Sequence, residues 1–174
     1  MKLKFKVLFG TVSILASMVV STFGASATNP LHDVVNTGNV ERIEELCKLN
    51  GDWIHRKNEY GDLPIHCATT FGALKCLIKN GADVNAQGSG GRTVLHRFMI
   101  YAANSADREY ADAINYLLKN GADINIRDGK NMTPLDLLES LYRHHLERDA
   151  HSDTTLRLKM YIESLREPDG KICI

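Results

Sequence analysis

Two stretches of the chain are nearly the same: "KNGADVNAQ" from Lys79 to Gln87 and "KNGADINIR" from Lys119 to Arg127. Duplication of this quality within 174 residues marks a repeated structural unit. It restricts the fold to architectures in which one unit stacks on the next. The spacing is irregular for such a unit, because Gly81 and Gly121 lie 40 residues apart.

A second landmark recurs upstream of each duplicate. "GDLPIHCATTFG" begins at Gly61, "GRTVLHRFMIYA" at Gly91, "NMTPLDLLESLY" at Asn131 and "NPLHDVVNTGNV" at Asn29. Alignment on the apolar residue before His or Asp pairs Leu31, Ile65, Leu95 and Leu135, at gaps of 34, 30 and 40 residues. Each unit opens with a cap-competent or Pro-bearing start: Asn29-Pro30, Pro64, Thr93 and Thr133-Pro134. Such residues satisfy the free amides of a helix N-terminus or preset its first turn. A second helix follows with apolar residues at helical spacing, clearest at Tyr110, Ala113, Ile114, Leu117 and Leu118. It closes on Gly81 or Gly121, each suited to a left-handed C-terminal cap, and the chain leaves through a Gly-rich or Asp/Asn-rich turn.

These residues resemble the ankyrin-repeat family, whose units of about 33 residues carry T-P-L-H-x-A and end in G-A-D-x-N. Leu31-His32, Ile65-His66 and Leu95-His96 fall in register with two copies of "NGAD[VI]N". The resemblance covers about residues 29 to 145 and implies an all-α ankyrin-repeat solenoid. It would have about four helix-turn-helix units with short hairpin-like loops and a helical C-terminal cap. Unit boundaries are expected at 28–56, 57–86, 87–126 and 127–167, with a tail at 168–174.

The departures from the family pattern carry information. Unit 1 has Asn50 in place of the capping Gly and one extra residue in "GDWIHRKNEY". Unit 2 is short, with 9 residues from Gly72 to Gly81, which predicts a second helix lacking most of a turn. Unit 3 carries a surplus of about seven residues relative to the family unit of about 33. With no Pro or Gly in "HRFMIYAANSADREYADAINYLL", the surplus should lengthen both helices, with the reversal at Asn104 to Asp107. In unit 4, Arg143, Glu147, Arg148 and Glu163 predict a terminal cap with a polar outer face.

The first 27 residues belong to a different problem. Lys2, Lys4 and Lys6 precede a mostly apolar run that ends in Ala25-Ser26-Ala27, the pattern of a secretory signal cleaved after Ala27. The alternative is an uncleaved membrane anchor, although Gly, Ser and Thr interrupt the run. Either one places the rest of the chain outside the cytoplasm. Without the leader, 18 bases face 21 acids. A formal charge of −3 with no basic cluster argues against nucleic acid and against a polybasic membrane contact.

Chemistry-bearing residues have structural explanations close at hand. By resemblance, His32, His66 and His96 bond backbone and cap residues between units, as Gly81 and Gly121 close helices. Cys47, Cys67 and Cys76 fill helix positions as small buried groups, and an exported chain leaves a disulfide open to them and to Cys173. "RHHLERDAH", from Arg143 to His151, lacks the H-x-x-x-H spacing that would seat two zinc ligands on one helical face. No catalytic residue, metal or cofactor is assigned.

What remains is surface. By resemblance the hairpin tips present Lys57, Asn58, Glu59 and Tyr60, then Gln87 and Ser89, then Arg127, Asp128, Lys130 and Asn131. Thr69, Arg97 and Tyr101 line the floor of the inner face. Tyr60, Glu59, Gln87, Arg97, Tyr101, Arg127 and Lys130 are the candidate partner-binding residues. The chain is expected to be an exported, monomeric, non-enzymatic scaffold for a protein partner. The alternative is a redox- or metal-linked envelope protein using Cys47, Cys67 and Cys76 or the His144–His151 cluster.

Overall fold

The computed structural model describes residues 29–105, 107–149 and 152–166. The expected leader at residues 1–27, the tail with Cys173, and His151 lie outside them. The described residues form an all-α solenoid of seven α-helices and three short 3-10 helices, with no strand among them.

Unit 1 holds α1 (Pro30–Thr37) and α2 (Val40–Leu49), followed by a 3-10 helix at Gly51–His55. The Asn29 side chain accepts the Leu31 N–H and caps α1, with Pro30 in the first turn. Gly38 closes α1 at φ 72°, and Asn39 starts α2 by accepting from the Arg42 N–H. Two residues therefore suffice for the reversal, because one is Gly and the next is a cap.

Unit 2 is built differently from the sequence expectation. Its second helix, α3 (Phe71–Lys79), has nine residues against ten in α2, and so keeps nearly its full length. The shortening falls on the first helix, which is reduced to a 3-10 turn at Pro64–Cys67. Thr70 is the cause, since its hydroxyl accepts from the Ala73 N–H and fixes the start of α3. Only Ala68 and Thr69 are then left to follow Cys67. Gly72 admits α3 against α2, where an added Cβ would lie 3.1 Å from a Val40 methyl.

Unit 3 shares its surplus between α4 (Val94–Asn104) and α5 (Arg108–Lys119). These helices of 11 and 12 residues exceed α1 and α2 by three and two. Asn104 is the last residue of α4, and Asp107 caps α5 by accepting from the Glu109 N–H. Glu109 also accepts the Phe71 N–H at 2.7 Å, which ties α5 to the first turn of α3.

Unit 4 consists of α6 (Pro134–Arg148) and α7 (Asp153–Arg166). Thr133 and Asp136 exchange bonds in a capping box at the start of α6. Its outer face is less polar than the charged residues imply. Leu146, Leu156 and Met160 are exposed alongside Arg143, Glu147 and Glu163. Polar residues at the right spacing do not exclude apolar ones between them, and α6 and α7 carry both.

The repeated "NGAD" now has a physical role. After α3 the Gly81 N–H bonds the Ile78 carbonyl and the Ala82 N–H bonds the Leu77 carbonyl; Gly121 and Ala122 do the same after α5. Both glycines sit at positive φ, 95° and 85°, which is the Schellman helix stop. The two copies are also joined directly. Asn85 donates to the Gly121 carbonyl at 2.9 Å and accepts from the Asp123 N–H at 2.8 Å. One continuous core runs through the stack, with Leu31, Ile65 and Leu95 at most 1% exposed. Leu135, the fourth landmark, is half-buried, and Leu138 takes the core position instead.

Candidate functional site

The hairpin tips share one backbone plan. Gly61, Gly91 and Asn131 adopt φ of 82°, 70° and 62° at the same repeat position, where glycine or asparagine is at home. The carbonyl of the next residue, Asp62, Arg92 or Met132, accepts from the N–H of Asn58, Gly88 or Asp128 and closes each tip. Within the tip the Asn58 Oδ1 accepts from the Tyr60 and Asp62 N–H groups, and the Asp128 Oδ1 from those of Lys130 and Met132. Asp128 is therefore buried inside its loop rather than displayed at the tip, correcting the sequence expectation. Burial alone would raise its pKa. The Met132 and Lys130 N–H groups and Arg92 outweigh burial and hold the carboxyl below its usual range.

Gly88 has no side chain to organise the middle tip, and Asp62 of the preceding unit does so instead. A Cβ at Gly88 would lie 2.3 Å from Asp62 Oδ1. That oxygen accepts the Ser89 N–H at 2.7 Å, and Oδ2 takes the Arg97 guanidinium at 2.7 Å. One repeat later Arg92 reaches forward to Asp128, with its Nε 3.4 Å from Oδ2. The middle of the inner face is thus laced by two acid–arginine pairs that each bridge neighbouring units.

Between the second tip and α4 lies a groove of about 340 Å³ lined by Tyr60, Asp62, Ser89, Arg92, Arg97, Ile100 and Tyr101. It brings together three of the candidate partner-binding residues: Tyr60, Arg97 and Tyr101. Tyr60 is 70% exposed, more than any other large hydrophobic side chain among the described residues. Tyr101 is half-buried and packs edge-on to Phe98 at 5.7 Å and tilted against Tyr110 at 5.7 Å. Arg97 is held by Asp62, and its Nε is buried without a hydrogen-bond partner.

The other candidates sit elsewhere. Glu59 and Lys130 are exposed on their tips, outside the groove lining. Gln87 uses its amide to donate to the Gly91 and Arg127 carbonyls, at 2.7 and 2.9 Å. Arg127 donates to the Asn131 carbonyl and pairs with Asp136. Both are exposed, yet Gln87 straps two loops together and Arg127 closes its own. Asp62 and Arg92 are central to the groove and were absent from the candidates. Their signal was available, since "GD" and "GR" occupy one repeat position with opposite charge.

His32 and His96 bridge neighbouring units, and His66 reaches the last residue of its own. Nε2 of His32, His66 and His96 lies 2.9, 2.9 and 3.1 Å from the carbonyls of Asp62, Ala86 and Met132. Nδ1 of His66 accepts from the Leu63 N–H, and that of His96 from the Thr93 N–H. Burial lowers the pKa of both His66 and His96. The Nδ1 of His32 is buried and unpartnered.

Cys47, Cys67 and Cys76 are free thiols, the first and third of them buried. Burial, with Cys76 and Glu44 nearby, pushes Cys47 up to about 11. The His144 and His145 rings sit side by side with centroids 6.0 Å apart. No group of three His, Cys, Asp or Glu side chains gathers in a metal-holding arrangement among the described residues. No helix among them is long and apolar enough to cross a membrane.

A family model described as ankyrin repeats (3 copies) matches residues 31–128. The chain belongs to the ankyrin-repeat family. It is also 31% identical over 68 residues to the 85/88 kDa calcium-independent phospholipase A2 of Mus musculus. That stretch is 38% of this chain and 8% of the mouse protein. The chain therefore spans less than a tenth of that relative, and the likeness is one of ankyrin repeats. Ankyrin repeats generally mediate protein–protein interaction and are typically non-catalytic.

Proposed function

We propose that this ankyrin-repeat chain is an exported, non-enzymatic scaffold that takes a protein partner on its hairpin tips and first helices. One observation supports the reading most: the groove in which an exposed Tyr60, a fixed Arg97 and a packed Tyr101 converge. Tyrosine and arginine, with tryptophan, are enriched among the residues that carry most of the binding energy in protein interfaces. Here Arg97 and Tyr101 are already held in place, so a partner spends little ordering them. Export rests on the basic start, apolar run and Ala25-Ser26-Ala27 of the leader.

Site-specific photo-crosslinking tests the surface. A benzophenone amino acid placed at Tyr60 should trap one partner in cells, while the same probe at the exposed Glu147 on α6 should not. Equal trapping at both positions, or none at Tyr60, removes the assignment. N-terminal sequencing of the protein recovered outside the cytoplasm should begin at Thr28. An intact Met1 there shows that the leader is retained.

A further inference from the structure

The groove has an unequal supply of hydrogen-bonding groups. Asp62 lines it, but both carboxylate oxygens are occupied, one by the Ser89 N–H and the other by Arg97. A guanidinium carries five N–H donors and no acceptor. Arg97 commits part of one side to Asp62 and leaves a buried Nε with nothing to bond. Arg92 turns its Nε toward Asp128 and lines the groove as well. Each arginine is already paired with an acid, Arg97 with Asp62 and Arg92 with Asp128, so the charges balance and the surplus lies in the remaining guanidinium N–H donors. Tyr60, Ile100 and Tyr101 also line it and offer apolar surface.

We propose that this groove recognises an acidic side chain in an extended segment of the partner protein. An Asp or Glu carboxylate is received by Arg97, Arg92 and the Ser89 hydroxyl, and a neighbouring apolar side chain lies between Tyr60, Ile100 and Tyr101. The assignment rests on the reading of this face as the partner surface, and adds the chemistry of what binds there. A basic segment would bring donors to a groove already rich in them. A wholly apolar one would cover the partly exposed Arg92 and Arg97 guanidinium groups without offering an acceptor, and a buried unsatisfied donor is costly. A carboxylate matches the guanidinium fork and satisfies both conditions. At about 340 Å³ the groove lies at the small end of ligand sites, the scale of a side-chain pair rather than of a folded surface.

The test is a ¹⁵N-resolved NMR titration of the full protein with three capped pentapeptides. They place Glu, Gln or Arg between Leu and Phe, with Gly at each end. The Glu peptide should shift the amides of Ser89, Arg97 and Ile100 and weaken with added salt. The Gln peptide should bind about tenfold more weakly, since it gives up a charge-assisted bond, and the Arg peptide weaker still. Tyr60→Ala and Arg92→Gln should each reduce affinity for the Glu peptide severalfold. Tyr60 is a safe choice for stability, because its side chain stands in solvent.

Equal binding of the three peptides within the groove overturns the acidic preference and leaves the surface reading intact. Shifts confined to residues outside the groove overturn both. Inorganic phosphate binding the same amides as tightly as the Glu peptide marks an adventitious anion site and overturns the proposal. So does the absence of any shift at millimolar peptide.

Discussion

Asp62 and Arg97 stand 35 residues apart in the chain and 2.7 Å apart in the fold. The pair joins the tip of unit 2 to the first helix of unit 3, and the same carboxylate holds the Ser89 N–H. Its side chains are 10% and 25% exposed, so solvent screens the pair only partly. Asp62→Ala strands two donors and Arg97→Ala strands one carboxylate oxygen. Each should destabilise by about 1–3 kcal/mol. The double variant should fall short of the sum by about 0.5–3 kcal/mol, the usual range for residues in contact. Urea midpoints for the four proteins measure this, and strict additivity would show the contact to be energetically idle.

How far this fold was legible in the sequence differs from unit to unit. Repeat landmarks found α1, α2, α4, α5 and α6, because caps and apolar spacing are local signals. The short unit 2 was recognised by length, but its missing residues were placed in the wrong helix. Spacing between two glycines does not say which helix yields; Thr70 decided it, through a hydroxyl bond that the count of residues does not register. The groove was half legible. Tyr60, Arg97 and Tyr101 follow from family position, whereas the lacing of Asp62 to Ser89 depends on Gly88 lacking a side chain. That is a long-range fit, visible only once the tips are side by side.

Glycines at the tips and helix ends should respond unequally to substitution. Gly121→Ala imposes positive φ on a residue with a Cβ, although no atom lies within 4 Å of it. Strain alone should cost about 1 kcal/mol. Gly91→Ala adds a backbone clash, 2.8 Å from the Gly129 nitrogen, and should cost more. Gly51, with no clash and no positive φ, should accept Ala with little change. The loss in thermal midpoint should be largest for Gly91→Ala, smaller for Gly121→Ala and smallest for Gly51→Ala.

The repeat histidines predict a direction for pH. His66 and His96 are both held below their ordinary value of 6.5, chiefly by burial. Asp62 and Arg97 face the first, and Asp128 and Arg92 the second. In both rings Nδ1 accepts a backbone N–H, so the native state keeps it unprotonated. The unfolded chain takes up protons near pH 6.5 while the folded chain resists. Stability from these groups is complete above that value and is lost as pH falls toward the lower folded values. Two protons bound the slope at about 2.7 kcal/mol per pH unit. Urea midpoints should drop between about pH 7.5 and about pH 5.5, and His96→Gln should flatten part of that drop. A midpoint that rises on acidification would contradict the neutral assignment.

Asn85 should matter out of proportion to its exposure. Its amide donates to the Gly121 carbonyl and its oxygen accepts from the Asp123 N–H, so one side chain fastens consecutive "NGAD" turns. Asn85→Ala removes both bonds and should destabilise by about 1–2 kcal/mol. Asn85→Asp keeps the acceptor but sets a carboxylate oxygen against the Gly121 carbonyl, so it should lose at least as much stability as Asn85→Ala. Hydrogen exchange at Asp123 gives the more specific reading. Protection there should be lost in Asn85→Ala and retained in Asn85→Asp, whereas Gly91→Ala should leave it unchanged because its strain lies at another tip.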